Sequence, residues 1–156
     1  MNEKAEKIDH IDRRIIRTLQ KDASLSQREL AERVGLSQNA CWRRLQQLRE
    51  SGILAGSRAR VDRKAVGLDL TVLMLVRTRK HSQEWLGDFR RIVLADPHVI
   101  DFFRVAGEYD YMLKVVAEDM NAFDAIYRRM IEKIDLDTVT SYIAMEAIAD
   151  GRDLPI

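Results

Sequence analysis

The sequence predicts an α+β chain, with a three-helix helix-turn-helix unit over residues 1–61 and a strand-helix-strand-strand-helix-strand unit (βαββαβ) over residues 69–150. Three observations lead there. Residues 27–46 read as two helices parted by a turn of only a few residues around Gly35, a spacing that forces them to cross sharply. The second half orders its elements as a split βαβ, or ferredoxin-like, arrangement. The charge is also divided: residues 1–64 hold 15 Lys and Arg against 9 Asp and Glu, and residues 65–156 hold 11 against 16, so a +6 half precedes a −5 half within a net +1. Such a split points to a polyanion partner for the first half alone.

The bulk numbers set the class. At 156 residues, 46% apolar and 33% charged, the chain suits one domain or two small ones. Its longest apolar runs, such as residues 70–76, are too short to span a bilayer, and the polar start lacks the apolar stretch of a signal peptide, so a cytoplasmic protein is expected. The single cysteine, Cys41, excludes an internal disulfide framework and a cysteine-clustered zinc site; no metal or cofactor is expected.

In the first helix, residues 8–20, Ile8, Ile11, Ile15, Ile16 and Leu19 recur at helical spacing. The second opens at Ser26, where Ser26 and Glu29 fit a capping box, buries Leu30, Ala31 and Val34, and stops at Gly35. The third is capped by Ser37 and runs to about Ser51, with Gly52 as its stop. Residues 53–61 alternate loosely and suggest a short hairpin or single strand, and residues 62–68 a linker. Beyond it, residues 70–79 read as a strand, 82–95 as a helix ended by Pro97, 99–105 and 109–116 as strands about the Gly107-Glu108 turn, the stretch after Asp119 as a helix, 139–149 as a final strand and 151–156 as a tail.

On a helical wheel of the third helix, Cys41, Leu45 and Leu48 share one face and Asn39, Arg43 and Gln46 the opposite one. Arg pairs bidentately with guanine, and Asn or Gln with adenine, in the major groove. Gln38 and Asn39 lie in the first turn, where recognition helices usually meet base edges. Arg44 and Arg49 are placed to reach phosphates, and the open amides after Ser37 suit a phosphate as well. Trp42, on the flank, either packs against its neighbours or stacks on sugar or a thymine methyl. Cys41 reads as a small buried hydrophobe. Taken alone, the polar stripe is equally a solvated helix face; its place after a capped helix and a short glycine turn, in the basic half, favours duplex DNA.

Several segments together resemble the Lrp/AsnC family of leucine- and asparagine-responsive regulators: residues 8–16, Leu30-Ala31-Glu32-Arg33-Val34-Gly35-Leu36-Ser37, Arg43-Arg44-Leu45, Ser51-Gly52-Ile53-Leu54-Ala55-Gly56 and, later, Gly107-Glu108-Tyr109-Asp110-Tyr111. The resemblance runs from Ile8 to about Ile148. It implies a winged helix-turn-helix joined to a ferredoxin-like sensing domain, homodimers often assembled into octamers or other even multimers, and two recognition helices meeting a roughly palindromic site on double-stranded DNA at the nucleoid. It also implies an effector, an amino acid or related small molecule, near Gly107, Glu108, Tyr109 and Asp110, with Ser141 facing the same region. Asp110 has two readings, an amino-group ligand or a turn cap. One departure concerns the loop before the last strand, which reads Ile134-Asp135-Leu136-Asp137 in place of the family's Pro-Gly turn.

Two rival readings differ in class. Some tetrapyrrole decarboxylases of haem biosynthesis resemble the family, but His10, His81 and His98 have no nearby nucleophile or metal-spaced partner in sequence, so no enzyme is expected. A ligand-binding module without DNA contact would not need the basic stripe.

Overall fold

Asp9 starts the first helix. In the computed structural model, which describes residues 8–156, α1 spans His10–Lys21, α2 Gln27–Val34 and α3 Gln38–Glu50. Asp9 accepts from the amides of Ile11 and Asp12, and Asp12 reaches back to the Asp9 amide, a capping box made of two aspartates. The expected box at Ser26 and Glu29 is present, Ser37 caps α3, and Gly35 ends α2 at φ 67°, a left-handed conformation that suits glycine. Residues 1–7, included in the expected first domain, lie outside the described residues.

The chain forms two units. One holds the described residues up to Ala59 together with Ala149–Ile156; the other is Arg60–Ile148. Ile15, Ile16, Leu30, Ala31, Val34, Cys41, Leu45 and Leu48 form the core of the first. Fully burying a side chain such as Leu30 contributes about 1.5–3 kcal/mol, far more than the intrinsic preference of an eight-residue helix supplies.

No strand forms over residues 53–61; the segment is a turn followed by irregular chain. This corrects the expected hairpin or strand. Gly52 (φ 76°) and Gly56 (φ 132°) bend the backbone at the segment's start, and residues 57–61 pair with no other strand, which extended chain needs for its backbone groups. In the expected linker the chain forms a single 3-10 turn, Lys64–Val66.

The second unit is a four-stranded antiparallel sheet with two helices: β1 Leu70–Arg77, α4 Gln83–Leu94, β2 Val99–Arg104, β3 Tyr111–Ala117, α5 Met120–Ile131 and β4 Thr138–Ile143. The strand order is β2-β3-β1-β4, as the split βαβ reading requires. Val72, Met74, Val76, Leu113 and Val115 alternate inward against Phe89, Val93, Phe123, Ile126 and Met130 of the helices. An aromatic group around Phe89 joins the layers, its ring 4.9 Å from Tyr111 and 5.1 Å from Trp85. The final strand stops at Ile143, six residues short of its expected end. Ile143 opposes Val72 and the Ala144 amide bonds Thr71 O; β1 begins at Leu70, so later residues have almost no partner strand left.

Candidate nucleic-acid interface and effector turn

On α3 the buried seam and the outward stripe fall as the wheel implies. Cys41, Leu45 and Leu48 are buried; Ser37, Gln38, Asn39, Arg43 and Arg49 are exposed, and Gln46 is partly so. Trp42 leaves about half its surface open (49%), which leaves both sequence readings of it available. Burial raises the Cys41 thiol above its usual range.

Arg44 differs from its sequence reading. A phosphate role requires an outward cation, yet its Nη1 donates to Asp9 Oδ2 at 2.7 Å and Asp12 Oδ1 at 2.8 Å. Arg44 lies about 60° from the Cys41 seam, nearer the packed side than the reading stripe at roughly 100° per residue. That angle was the available signal; its partners, more than thirty residues earlier, were not legible. The carboxyl of Asp9 is held down at about 2, chiefly by the Asp12 amide and then by Arg44. A second arginine secures the motif: Arg14 Nη1 donates to Val34 O at 3.1 Å, at the end of α2.

The other candidate site surrounds Gly107, whose φ of 141° disfavours any side chain although the space around it is open. Asp110 closes this turn: its amide donates to Val76 O, its carbonyl accepts from Val105, and its Oδ2 accepts from the Thr78 amide at 2.8 Å. One carboxylate oxygen is thus taken up, by the backbone just past the end of β1 rather than by the turn's own backbone. Glu108 is exposed, and Tyr109 reaches across β1 so that its hydroxyl lies 3.1 Å from Thr140 Oγ1 on β4. The structure therefore brings the turn to Thr140. Ser141 opposes the buried Met74, so it projects on the helix-covered side of the sheet.

The variant loop before β4 is tied to the end of β1. Asp137 meets Arg77 Nε at 3.2 Å and Arg79 Nε at 2.8 Å, and Asp135 meets Lys80 at 2.9 Å. Of the histidines, His98 bonds Asp96 through Nδ1 at 2.9 Å. Among the described residues no cluster of His, Cys, Asp or Glu could hold a metal, and no helix is long and apolar enough to cross a membrane.

A capped helix-turn-helix and a ferredoxin-like sheet with an open glycine turn define a two-part regulator, one part for duplex DNA and one for a small ligand. Comparison with known proteins makes this specific. Residues 8–55 match a winged helix-turn-helix DNA-binding model, and residues 71–154 match the Lrp/AsnC ligand binding domain. The chain belongs to the Lrp/AsnC family of transcription regulators. It is 43% identical to the DNA-binding transcriptional activator DecR of Escherichia coli over 96% of this chain and 99% of that one. It is 37% identical to the glutamate uptake regulatory protein of Zymomonas mobilis over 96% and 92%. A crystal structure of an AsnC family regulator from Agrobacterium tumefaciens superposes with a TM-score of 0.92 at 43% identity, covering 95% of this chain and 97% of that one. A regulator from Neisseria meningitidis in complex with L-Met superposes with a TM-score of 0.89 at 32% identity, covering 95% and 96%.

Proposed function

We propose that this regulator reads a roughly palindromic operator as a homodimer, or an even multimer of dimers, and that an amino acid or related small molecule bound at the 107–110 turn modulates that binding. The observation that carries the reading is the outward stripe of Asn39, Arg43 and Gln46 on a helix whose opposite face is buried. Ser37, Gln38 and Asn39 open the helix toward base edges and a phosphate, Arg43 and Gln46 continue the reading stripe, Trp42 flanks it, and Arg49 serves the backbone. Dimerisation through the uncovered sheet face fits its apolar character: Leu73, Leu75 and Met112 are only partly buried there, and Phe103 and Tyr142 are exposed. Work on chromosomal DNA would place the protein in the cytoplasm, at the nucleoid.

For the effector, the open backbone at Gly107 suits a carboxylate, and the second oxygen of Asp110 and the carboxylate of Glu108 suit an ammonium group. The Neisseria relative in complex with L-Met supports an amino acid. Two measurements test the whole. Affinity for DNA upstream of its own gene should exceed that for random duplex and fall steeply with salt through counterion release. A screen of the twenty amino acids by thermal shift should find one that stabilises wild type and fails with Asp110→Ala. Equal affinity for random duplex, or no stabilising amino acid, removes the corresponding half of the proposal.

A further inference from the structure

Arg44 sits on the recognition helix, yet both carboxylates it meets belong to the first turn of α1. These carboxylates are not loose surface groups. Asp9 Oδ1 accepts from the Ile11 amide at 2.8 Å and the Asp12 amide at 2.9 Å, and Asp12 Oδ2 accepts from the Asp9 amide at 3.1 Å. Each aspartate spends one oxygen on the helix cap and gives the other to Arg44. The guanidinium is thus bonded to two oxygens whose positions the α1 backbone already fixes. The Arg44 and Asp12 side chains are 30% and 17% exposed, shielded more than an ordinary surface pair.

The rest of the α3 contact is an apolar seam of Cys41, Leu45 and Leu48. Apolar burial is non-directional, whereas the bonds from Arg44 to two backbone-fixed oxygens are directional and single out one rotation of the helix. A roll of about 20° about the helix axis moves a group at roughly 5–6 Å radius by on the order of 2 Å. Base-edge hydrogen bonds hold only over about 2.7–3.2 Å, so such a roll would undo readout by Arg43 while leaving the helix folded. Charge points the same way. One guanidinium faces two carboxylates, so its charge is already matched within the cluster and Arg44 offers a phosphate far less than an outward arginine would.

We propose that Arg44 is a positioning residue for DNA recognition: its bonds to Asp9 and Asp12 set the rotation of α3 against α1, and it is not a phosphate contact. The inference rests on the reading of α3 as the recognition helix.

The test compares full-length wild type, Asp12→Asn, Arg44→Ala, Arg44→Lys and the double variant Asp12→Asn/Arg44→Ala. Each is titrated over a salt series on a duplex that wild type selects from a random pool, and on a scrambled duplex of the same length. Asp12→Asn decides most. It removes one of the two charges that hold Arg44 while Asp9 still accepts from it, so a phosphate contact would be kept or strengthened, whereas a positioning contact is weakened. The expected result is an operator-over-scrambled ratio about tenfold lower for Asp12→Asn and Arg44→Ala, partial recovery in Arg44→Lys, and no further loss in the double variant. The salt slope stays at its wild-type value. If Asp12→Asn keeps the wild-type ratio, or if Arg44→Ala lowers the slope by about 0.9 and weakens both duplexes alike, the proposal is overturned. Should Arg44→Ala fail to fold, Asp12→Asn still decides. An Arg43→Ala variant that keeps the full ratio would instead sink the reading of the α3 face, whereas the Arg44 salt slope still reports on a phosphate contact.

Discussion

Gln20 pairs with the backbone of Leu154 in both directions: its Nε2 donates to Leu154 O at 3.2 Å, and its Oε1 accepts from the Leu154 amide at 2.7 Å. The side-chain amide thus acts as a short piece of β-ladder for a segment with no strand partner. Arg17 Nε adds a bond to Ile156 O, and Ile156 packs against the helix-turn-helix core. Residues 149–156 lie in the same unit as α1 and bond to it, so they belong energetically to that helix. Ile156→Ala or Gln20→Ala should each destabilise the DNA-binding unit by about 1–2 kcal/mol, less than full burial would give because Ile156 is only partly covered. Two tryptophans separate the units: Trp42 lies on α3 and Trp85 on α4. Single-tryptophan variants in urea should show the Trp42 transition move to lower denaturant while the Trp85 transition stays. Equal movement of both would mean that the tail supports the whole chain.

Arg43 and Arg49 should differ in kind. Arg43 lies in the exposed stripe opposite the Cys41 seam, so Arg43→Ala should cost roughly 1–3 kcal/mol on the selected operator and relax preference at one base position. Arg49, near the end of α3, should weaken all sequences alike when changed to Ala and reduce the salt slope by about one phosphate. Titration of both variants on operator and scrambled duplexes separates the two. A salt slope that falls for Arg43→Ala and not for Arg49→Ala would exchange their roles.

What the sequence made legible was local. Ser26, Glu29, Ser37, Gly35 and Asp119 mark helix ends through side chain-to-backbone geometry spanning at most a few residues, and the structure places caps or stops at each. The alternation of Val72, Met74 and Val76 likewise announced a half-buried strand. The illegible parts are non-local. Residues 144–149 have the apolar content of a strand, but a strand needs a partner, and β1 was used up at Thr71. Residues 53–61 lacked a partner in the same way. The α1 box was readable at Asp9 and Asp12, and placing the helix start at Ile8 passed over it. The link from Arg44 to that box crosses more than thirty residues, and the tail's link to Gln20 crosses more than a hundred. No periodicity reports either.

The acid limb of stability should follow the α1 cap. Asp9 has its carboxyl lowered from 3.8 to about 2 by the Asp12 amide and Arg44. Asp22 and Glu29 are lowered by Ser24 and Ser26 respectively. For Asp96, burial raises the value, and bonds from His98 and Arg129 outweigh it to leave a net lowering. A carboxylate depressed in the folded state contributes fully above its unfolded value, near 4, and loses that contribution as pH falls through its folded value. Denaturation midpoints should therefore be flat above about pH 5 and decline from about pH 4 toward 2. Asp9→Asn should be less stable than wild type at neutral pH, and the two curves should converge near pH 2. A constant gap at all pH values would assign the effect to lost cap geometry rather than to charge.

Cys41 should be chemically silent. It is fully buried among Leu30, Leu45 and their neighbours, and burial pushes its thiol up, so neither access nor thiolate supply favours reaction. A disulfide reagent should label native protein no faster than global unfolding exposes the residue. Labelling that outpaces unfolding, or DNA binding lost to mild peroxide and restored by reductant, would make α3 redox-sensitive.

The effector turn should separate backbone shape from ligand contact. At φ 141° Gly107 occupies a conformation that side chains avoid, although a Cβ there would meet no neighbour. Gly107→Ala should thus cost about 1 kcal/mol or more through backbone strain alone. Tyr109→Phe removes the hydroxyl facing Thr140 and should cost about 0.5–1.5 kcal/mol. Asp110→Asn keeps an oxygen for the Thr78 amide and removes the charge, so its stability should stay near wild type. If the turn holds the ammonium group of an amino acid, Asp110→Asn should lose most of the ligand-induced thermal shift while Tyr109→Phe keeps it at lower baseline stability. Thermal shift of the three variants, with and without the amino acid that most stabilises wild type, reads both effects together. A full shift retained in Asp110→Asn would move the ammonium partner to Glu108, the other acidic residue of the turn.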